Sequence, residues 1–481
     1  MRTTPVRPFL ISIAALFATA CASNVGPAAA NRGSGGNDAG QDADPTLGNL
    51  DALPTMDAGV GSSSAVDANP TSAIGLAASS LEREMNPQVS AADSTTLASD
   101  NAAFAFDMYS KLKDARSNVV FSPASISLAL AMTYAGAAST TATEMAQALH
   151  FTLPPDRLHR AFNALDQALA SRGQGMLGAD GGVMRLDSAN SAWLERSYSL
   201  LPAYLDVLAL NYGAGVNLVD FMGTPEASRV KINAWVSDKT QGNIAELLSP
   251  AMITSATKLV LTNAVYFNAA WKNPFNALYD HDNNFTLLDG SVTTRRYMYA
   301  SLTGIKAKQG TNYVAAALPY QDDRLSLVVV VPDAGKFSDV ESALDAKSFE
   351  NLLTGLIAQK VSLYLPPFRI DTRASLPDTL KKLGMLSAFC PGDADFSGMD
   401  GTRQLCIKDV IHQAFIAVAE KGTEAAAATA VVMEDASMPG DGGSEPPPLL
   451  VKAERPFLYF LYDQPTGAIL FMGSVFDPLQ K

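Results

Sequence analysis

Residues 420–429, EKGTEAAAAT, occupy a place that their composition contradicts. They extend an alternating apolar segment, 409–420 (DVIHQAFIAVAE), that reads as a strand, and they run into a polar Pro/Gly stretch, 438–448, that reads as an exposed loop. Ala425, Ala426, Ala427 and Ala428 in succession cannot form a core. By propensity alone they favour one or two turns of helix. An extended segment from 423 to 432 would instead put Thr423, Ala425, Ala427, Thr429 and Val431 on one face, with Glu424 and its neighbours on the other. Small side chains on the inner face would let such a segment slide between existing strands, where close packing punishes even one extra methylene. Gly422, just before the run, supplies a backbone hinge.

The N-terminus bounds where the chain works. Arg2 and Arg7 precede an apolar run, 9–17, too short to span a membrane and ending in small residues before Cys21. Residues 1–20 therefore read as an export signal. Cys21 stands either as a lipid-modified cysteine of bacterial lipoprotein type or just beyond an ordinary cleavage point, with Ala18 where a lipoprotein box usually has Leu. Residues 21–94 are rich in Gly, Ala, Ser, Asp and Asn and lack the apolar side chains needed to offset ordering entropy, so they read as a disordered tether. About 70 such residues reach roughly 45–50 Å root-mean-square. The expected location is extracellular or on the cell envelope.

Residues 95–481 contain no linker long enough to divide them. Phe104, Met108 and Leu112 fall at helical spacing, and 122–137 reads as a buried helix with Pro in its first turn. Helix signals in 226–248 are broken by the turn at 241–243. Segments 259–271, 325–331, 361–365 and 457–462 are β-branched or aromatic runs bounded by turns, hence strands. The expected class is α+β, with helices around at least one large mixed sheet.

The stretch 420–429 resembles the hinge of the reactive loop in serpins, the serine protease inhibitor superfamily, and specifically in its inhibitory members. Segments 118–151, 261–275 (LTNAVYFNAAWKNPF), 318–320 (LPY), 381–399 and 456–478 each resemble a serpin segment, in the order expected of that family. The resemblance implies the serpin fold and a suicide-substrate mechanism. A serine protease attacks the exposed loop, an acyl-enzyme forms, and the severed arm inserts into the central sheet and disables the enzyme. On the matching motifs it assigns the hinge to Glu420, Gly422, Thr423, Glu424 and Ala425 to Ala428, and the sheet-opening shutter to Ser122, Ser125, Asn263 and His412. It assigns Trp271 to the breach, where insertion starts. Family spacing puts the scissile bond between Ala436 and Ser437, with Met433 as the alternative, and a small apolar residue there suits elastase-like or subtilisin-like proteases. The segment 436–456 is about nine residues longer than the family's usual distal arm, which weakens that count.

The remaining signals point nowhere else. Net charge is −13, which argues against nucleic acid, polyanions and anionic membrane surfaces as partners. Any membrane association is expected through the lipid anchor alone. His150, His159, His281 and His412 share no metal-ligand spacing, and no nucleophile elbow is present, so neither cofactor, metal nor catalytic residue is expected. The GxGxxG match at 173–178 lies in a Gly-rich insert and reads as a loop. Pairing of Cys390 with Cys406 stays open. The expectation is a monomeric inhibitor of a serine protease, with a cysteine protease as a cross-class target. The rival is a non-inhibitory binding or scaffold protein on the same fold.

Overall fold

Two β-sheets stacked on one another carry the molecule, and helices cover what the sheets leave open. The computed structural model describes residues 74–113, 117–390, 393–423 and 446–480. Strands β1 (Gly75–Ala77), β2 (Val119–Phe121), β3 (Arg185–Glu195), β4 (Val216–Val219) and β5 (Leu259–Ala270) precede β6 (His281–Thr286), β7 (Val292–Gln309), β8 (Tyr313–Pro319) and β9 (Leu325–Pro332). Next come β10 (Ile357–Leu365), β11 (Phe368–Ser375), β12 (Ile407–Ala419) and β13 (Gly422–Thr423). β14 (Leu449–Lys452), β15 (Phe457–Asp463) and β16 (Ala468–Val475) close the chain. The helices used below are α1 (Ala91–Leu112), α2 (Pro123–Tyr134), α3 (Ser139–Ala148), α4 (Pro155–Ala170), α5 (Pro202–Tyr212) and α6 (Pro225–Lys239).

A seven-stranded sheet runs β1-β4-β3-β5-β13-β12-β11, and a nine-stranded one follows the path β14-β10-β7-β8-β9-β15-β16-β2, with β6 on β7. Both are mixed: β5 with β12, β3 with β4 and β10 with β14 are parallel. The α+β class expected from the apolar runs is the class observed.

Pattern explains the layers. β9 is buried at every position, as its unbroken LSLVVVV run requires of an interior strand. Between the sheets, Val265, Phe267 and Ile416 meet Leu327, Val329 and Phe471 in one apolar layer. On the opposite face of the seven-stranded sheet, Ile232 and Val236 of α6 pack with Trp193, Val260 and Ala264. α2 starts where Ser122 caps it and Pro123 follows at the first turn; it is buried almost all round. It ends at Tyr134, three residues before the boundary read from sequence.

The expected tether boundary at residue 94 is corrected by the fold. β1 pairs antiparallel with β4 as the edge of the seven-stranded sheet. Downstream, Arg83 Nε donates to Asn163 Oδ1 at 2.8 Å and pairs with Asp166 at 2.7 Å, and Asn163 Nδ2 donates to the Glu84 carbonyl at 2.7 Å. Backbone pairing and polar anchors hold this segment while Leu76 and Met85 stay exposed, so a hydropathy argument has nothing to detect.

Cys390 and Cys406 form a disulfide, with Cα atoms 5.3 Å apart. It ties the foot of β12 to the segment in which Phe389 bridges Ile407. For a separation of 16 residues, chain entropy ascribes about 3 kcal/mol to such a link. Replacing both cysteines with Ser is therefore expected to lower the urea midpoint by an amount equivalent to about 3 kcal/mol, and matching midpoints would show that the link adds no stability.

Candidate functional site

The site begins where the seven-stranded sheet stops being continuous. Along its lower half β5 and β12 are direct parallel partners, up to Ala414 opposite Val265. Four residues further on, Val418 faces Thr423 instead, and Thr423 faces Ala269 of β5. The spacing between β5 and β12 therefore doubles from about 4.8 Å to roughly 10 Å within one strand segment, because a third strand has entered. That strand is β13, the two residues Gly422 and Thr423.

Its seat is specific to small residues. A Cβ at Gly422 would lie 2.1 Å from the Ala269 carbonyl oxygen and 2.8 Å from Ala179 Cβ, so any side chain there would collide with backbone. Thr423 is fully buried, and its Oγ1 lies 2.6 Å from the Tyr320 hydroxyl. Tyr320 in turn stacks on Trp271, with centroids 4.4 Å apart and planes at 19°. Trp271 holds the turn that precedes β13: its indole N–H donates to the Ala419 carbonyl at 2.9 Å and its backbone N–H to the Lys421 carbonyl at 2.9 Å. The Phe275 N–H donates to the Glu420 carbonyl at 2.8 Å. Beside that turn, burial and the neighbouring Glu420 push the Asp280 carboxyl up to about 6, against the pull of Arg296 at 3.4 Å.

Below the mouth, a polar network crosses the interior. The Ser122 N–H donates to His412 Nε2 at 3.1 Å. That nitrogen must then be unprotonated, so Nδ1 carries the hydrogen and donates to Asn263 Oδ1. Asn263 Nδ2 donates to Ser125 Oγ at 2.6 Å and to Asn190 Oδ1, which also accepts from the Ser125 hydroxyl at 2.8 Å. His412 and Asn263 are register partners across β12 and β5; Asn263 and Asn190 are partners across β5 and β3. Parting β12 from β5 therefore breaks the His412–Asn263 bond and leaves Asn263–Asn190 intact. Beside the network lies a pocket of about 220 Å³, lined among others by Ser122, Ser125, Leu128, Leu165, Leu169 and Val265.

Each residue assigned from sequence to the shutter lies in this network, and Trp271 lies at the mouth. Glu420, Gly422 and Thr423 form the turn and the entering strand. Glu424, Ala425 to Ala428, Met433, Ala436, Ser437 and Cys21 lie outside the described residues. Asn190, Tyr320 and Asp280 escaped sequence reasoning. Tyr320 lay within the quoted LPY motif, but nothing local to Asn190 or Asp280 marks them, since their roles come from strand register and burial. The Gly-rich stretch at 173–178 is a loop, and its Leu177 carbonyl accepts the Ala270 N–H over the mouth of the sheet.

These features define a protein in which Gly422 and Thr423, the last described residues before 424–445, stand as an added strand in the mouth of its own central sheet. The family model described as serpin, serine protease inhibitor, matches residues 99–478. An uncharacterized serpin-like protein of Thermococcus kodakarensis is 39% identical over 377 residues, 78% of this chain and 84% of that protein. The leukocyte elastase inhibitor of Xenopus laevis is 33% identical over 388 residues, 78% of this chain and 97% of that protein. The crystal structure of the thermophilic serpin tengpin in its native state superposes with a TM-score of 0.71 at 26% identity, covering 82% of this chain and 97% of its own. The chain belongs to the serpin family.

Burial pushes the His412 imidazole down from its ordinary 6.5 to about 3, and His159, bonded to the Tyr212 hydroxyl, to about 4. The unfolded chain takes up these protons first, so their stabilising contribution is complete above about pH 6.5 and is lost as pH falls toward the folded values. One such proton changes stability by about 1.4 kcal/mol per pH unit. Chemical denaturation between pH 6.5 and 4 is expected to show falling stability, and His412→Gln should flatten the slope by one proton. An unchanged slope in that variant would mean that the histidine is not held neutral.

Proposed function

We propose that this protein is a suicide-substrate inhibitor of a serine protease, acting by cleavage of the segment after Thr423 and its insertion between β5 and β12. The observation that carries the reading is the entry of Gly422 and Thr423 between those two strands. A segment so seated needs only to continue in the same direction, and Ala425 to Ala428 carry no side chain large enough to obstruct it. Loop insertion in serpins is a known instance of strand addition and stored strain. Inserting about a dozen residues at roughly 1 kcal/mol net per hydrogen bond supplies a driving force on the order of 10 kcal/mol.

The target reading rests on the residues around Ala436 and Ser437, which suit elastase-like or subtilisin-like enzymes, with Met433 as the alternative attack point. The elastase-inhibitor name of the Xenopus relative agrees with that choice. A cysteine protease is the cross-class alternative. We further propose that residues 1–20 direct export and that lipidated Cys21 anchors the molecule to the cell envelope. The rival reading, a non-inhibitory binding protein, is favoured by the likeness to thyroxine-binding globulin, solved in complex with thyroxine, at 26% identity and a TM-score of 0.68.

Mixing the full chain with pancreatic elastase or subtilisin is expected to yield a covalent complex that survives SDS, together with release of the C-terminal fragment. Clean cleavage with the protease still active, and a clipped protein that melts no higher than the intact one, would instead support the binding-protein reading. Thr423→Arg is expected to convert inhibitor to substrate, because a guanidinium would have to replace a buried hydroxyl against Tyr320 without a counter-charge. Unaltered inhibition by that variant would rule out entry at this seat.

A further inference from the structure

Beside the turn at the root of β13, one carboxyl group is sealed from water against another. The Asp280 side chain is 1% exposed, and both of its oxygens are buried without a hydrogen-bond partner. Arg296 Nε lies 3.4 Å from one of them without hydrogen-bond geometry, on a side chain that is 55% exposed, where water screens its charge. The other group within reach is the Glu420 carboxyl, which as a carboxylate can only accept. A buried acid facing a second acid is a costly choice for a position that needs only packing.

Both groups belong to segments that the backbone already joins. Asp280 follows the 3₁₀ turn Ala277–Tyr279, downstream of Phe275, whose N–H holds the Glu420 carbonyl at 2.8 Å. The Trp271 N–H holds the next carbonyl, that of Lys421, and Gly422 and Thr423 follow at once as β13. Contact between Asp280 and Glu420 therefore spans the same two segments as those backbone bonds. Whatever drives the two carboxyls apart pulls at the root of the added strand.

One proton changes this contact from repulsion to a bond. Two carboxylates sharing a buried site cannot both ionise cheaply, whereas a protonated carboxyl donates to its ionised neighbour in a strong O–H···O⁻ bond, and the pair titrates as a unit. Burial and Glu420 raise the Asp280 carboxyl from its ordinary 3.8 to about 6. The other charges nearby do not replace that proton. Arg296 pulls the opposite way, and Asp282, its register partner on β6, is exposed. Lys272 pairs with Asp323, Lys421 adjoins Glu420 along the chain, and alternation turns His281 to the other face, against Tyr297 and Tyr364. Because the seated acid holds its proton to a higher pH than an opened one, the contribution to the seat is full below about 3.8 and is lost as pH rises through about 6.

We propose that Asp280 and Glu420 form a proton-sharing latch on the root of β13, closed when the pair holds one proton and loosened when it holds none. The latch goes beyond the inhibitor reading and stands whether or not cleavage follows. It makes the firmness with which the added strand is rooted depend on the acidity of the surroundings, between weak acid and neutrality.

The test is hydrogen exchange of the full-length protein from pH 5 to pH 7.5, read by mass spectrometry on peptides containing Trp271 and Phe275, with labelling times scaled to the intrinsic exchange rate. Opening of the turn is expected to be about tenfold more frequent at pH 7.5 than at pH 5, the ratio required by a carboxyl that titrates near 6 when seated and near 3.8 when opened. Asp280→Asn, whose amide donates to Glu420 without titrating, is expected to give equal protection throughout, at the level of the parent at pH 5. Glu420→Gln is expected to move the step below pH 5, since its amide donates to the Asp280 carboxylate in place of repelling it. His281→Gln is expected to keep the step of the parent. Equal protection of the parent at both ends of the range overturns the proposal. So does a step that survives in Asp280→Asn, that stays in place in Glu420→Gln, or that disappears in His281→Gln.

Discussion

The seam between β5 and β12 is the constraint on which the rest of the molecule depends. Below Ala414 and Val265 the two strands satisfy each other's backbone groups directly; above, β13 stands between them. A sheet cannot do both at one level. Each further residue entering the seam would replace one strand interface by two, and backbone groups seldom remain unpaired in a protein interior. In the proposed insertion this gain of pairing supplies the driving free energy, and the closed lower seam opposes it.

What resists opening is polar as well as apolar. The His412–Asn263 bond crosses the seam, and the partners around it, Ser122, Ser125 and Asn190, come from α2 and β3. Such groups are costly when unpaired in a low-dielectric interior, yet they can exchange partners as strands move, which interlocked methyl groups cannot do. The flanks are different. The apolar layer around Phe267, Leu327 and Phe471 fixes the nine-stranded sheet against the seven-stranded one, and α6 covers β3 and β5 from the opposite face. Apolar layers thus lie on both sides of a polar seam.

The pattern of the chain made much of this legible. Apolar and β-branched runs marked β5 and β9 as strands, and Ser122–Pro123 marked the start of α2. Local chemistry suffices there, since each residue's neighbours along the chain decide the outcome. Motif context brought Ser122, Ser125, Asn263 and His412 into one group, which composition alone would have left as scattered polar residues. Where contacts are long-range and polar, pattern was mute. The segment around Arg83 reads as tether by hydropathy, yet Asn163 and Asp166, some 80 positions away, hold it. Asn190 and Asp280 look like any strand or turn residue until register and burial assign their neighbours.

By itself, then, the amino-acid order determined the class of fold, the strands and helices with strong periodicity, and the small-residue segment suited to enter a sheet. These follow from propensity, pattern and side-chain volume, which are properties of short stretches. Tertiary structure alone decided that Gly422 and Thr423 already part β5 from β12, that Tyr320 seats Thr423, and that the Cys390–Cys406 pair closes. Those facts depend on which distant strands become neighbours and in what register, and register is a property of the assembled sheets, set by the packing of the whole core.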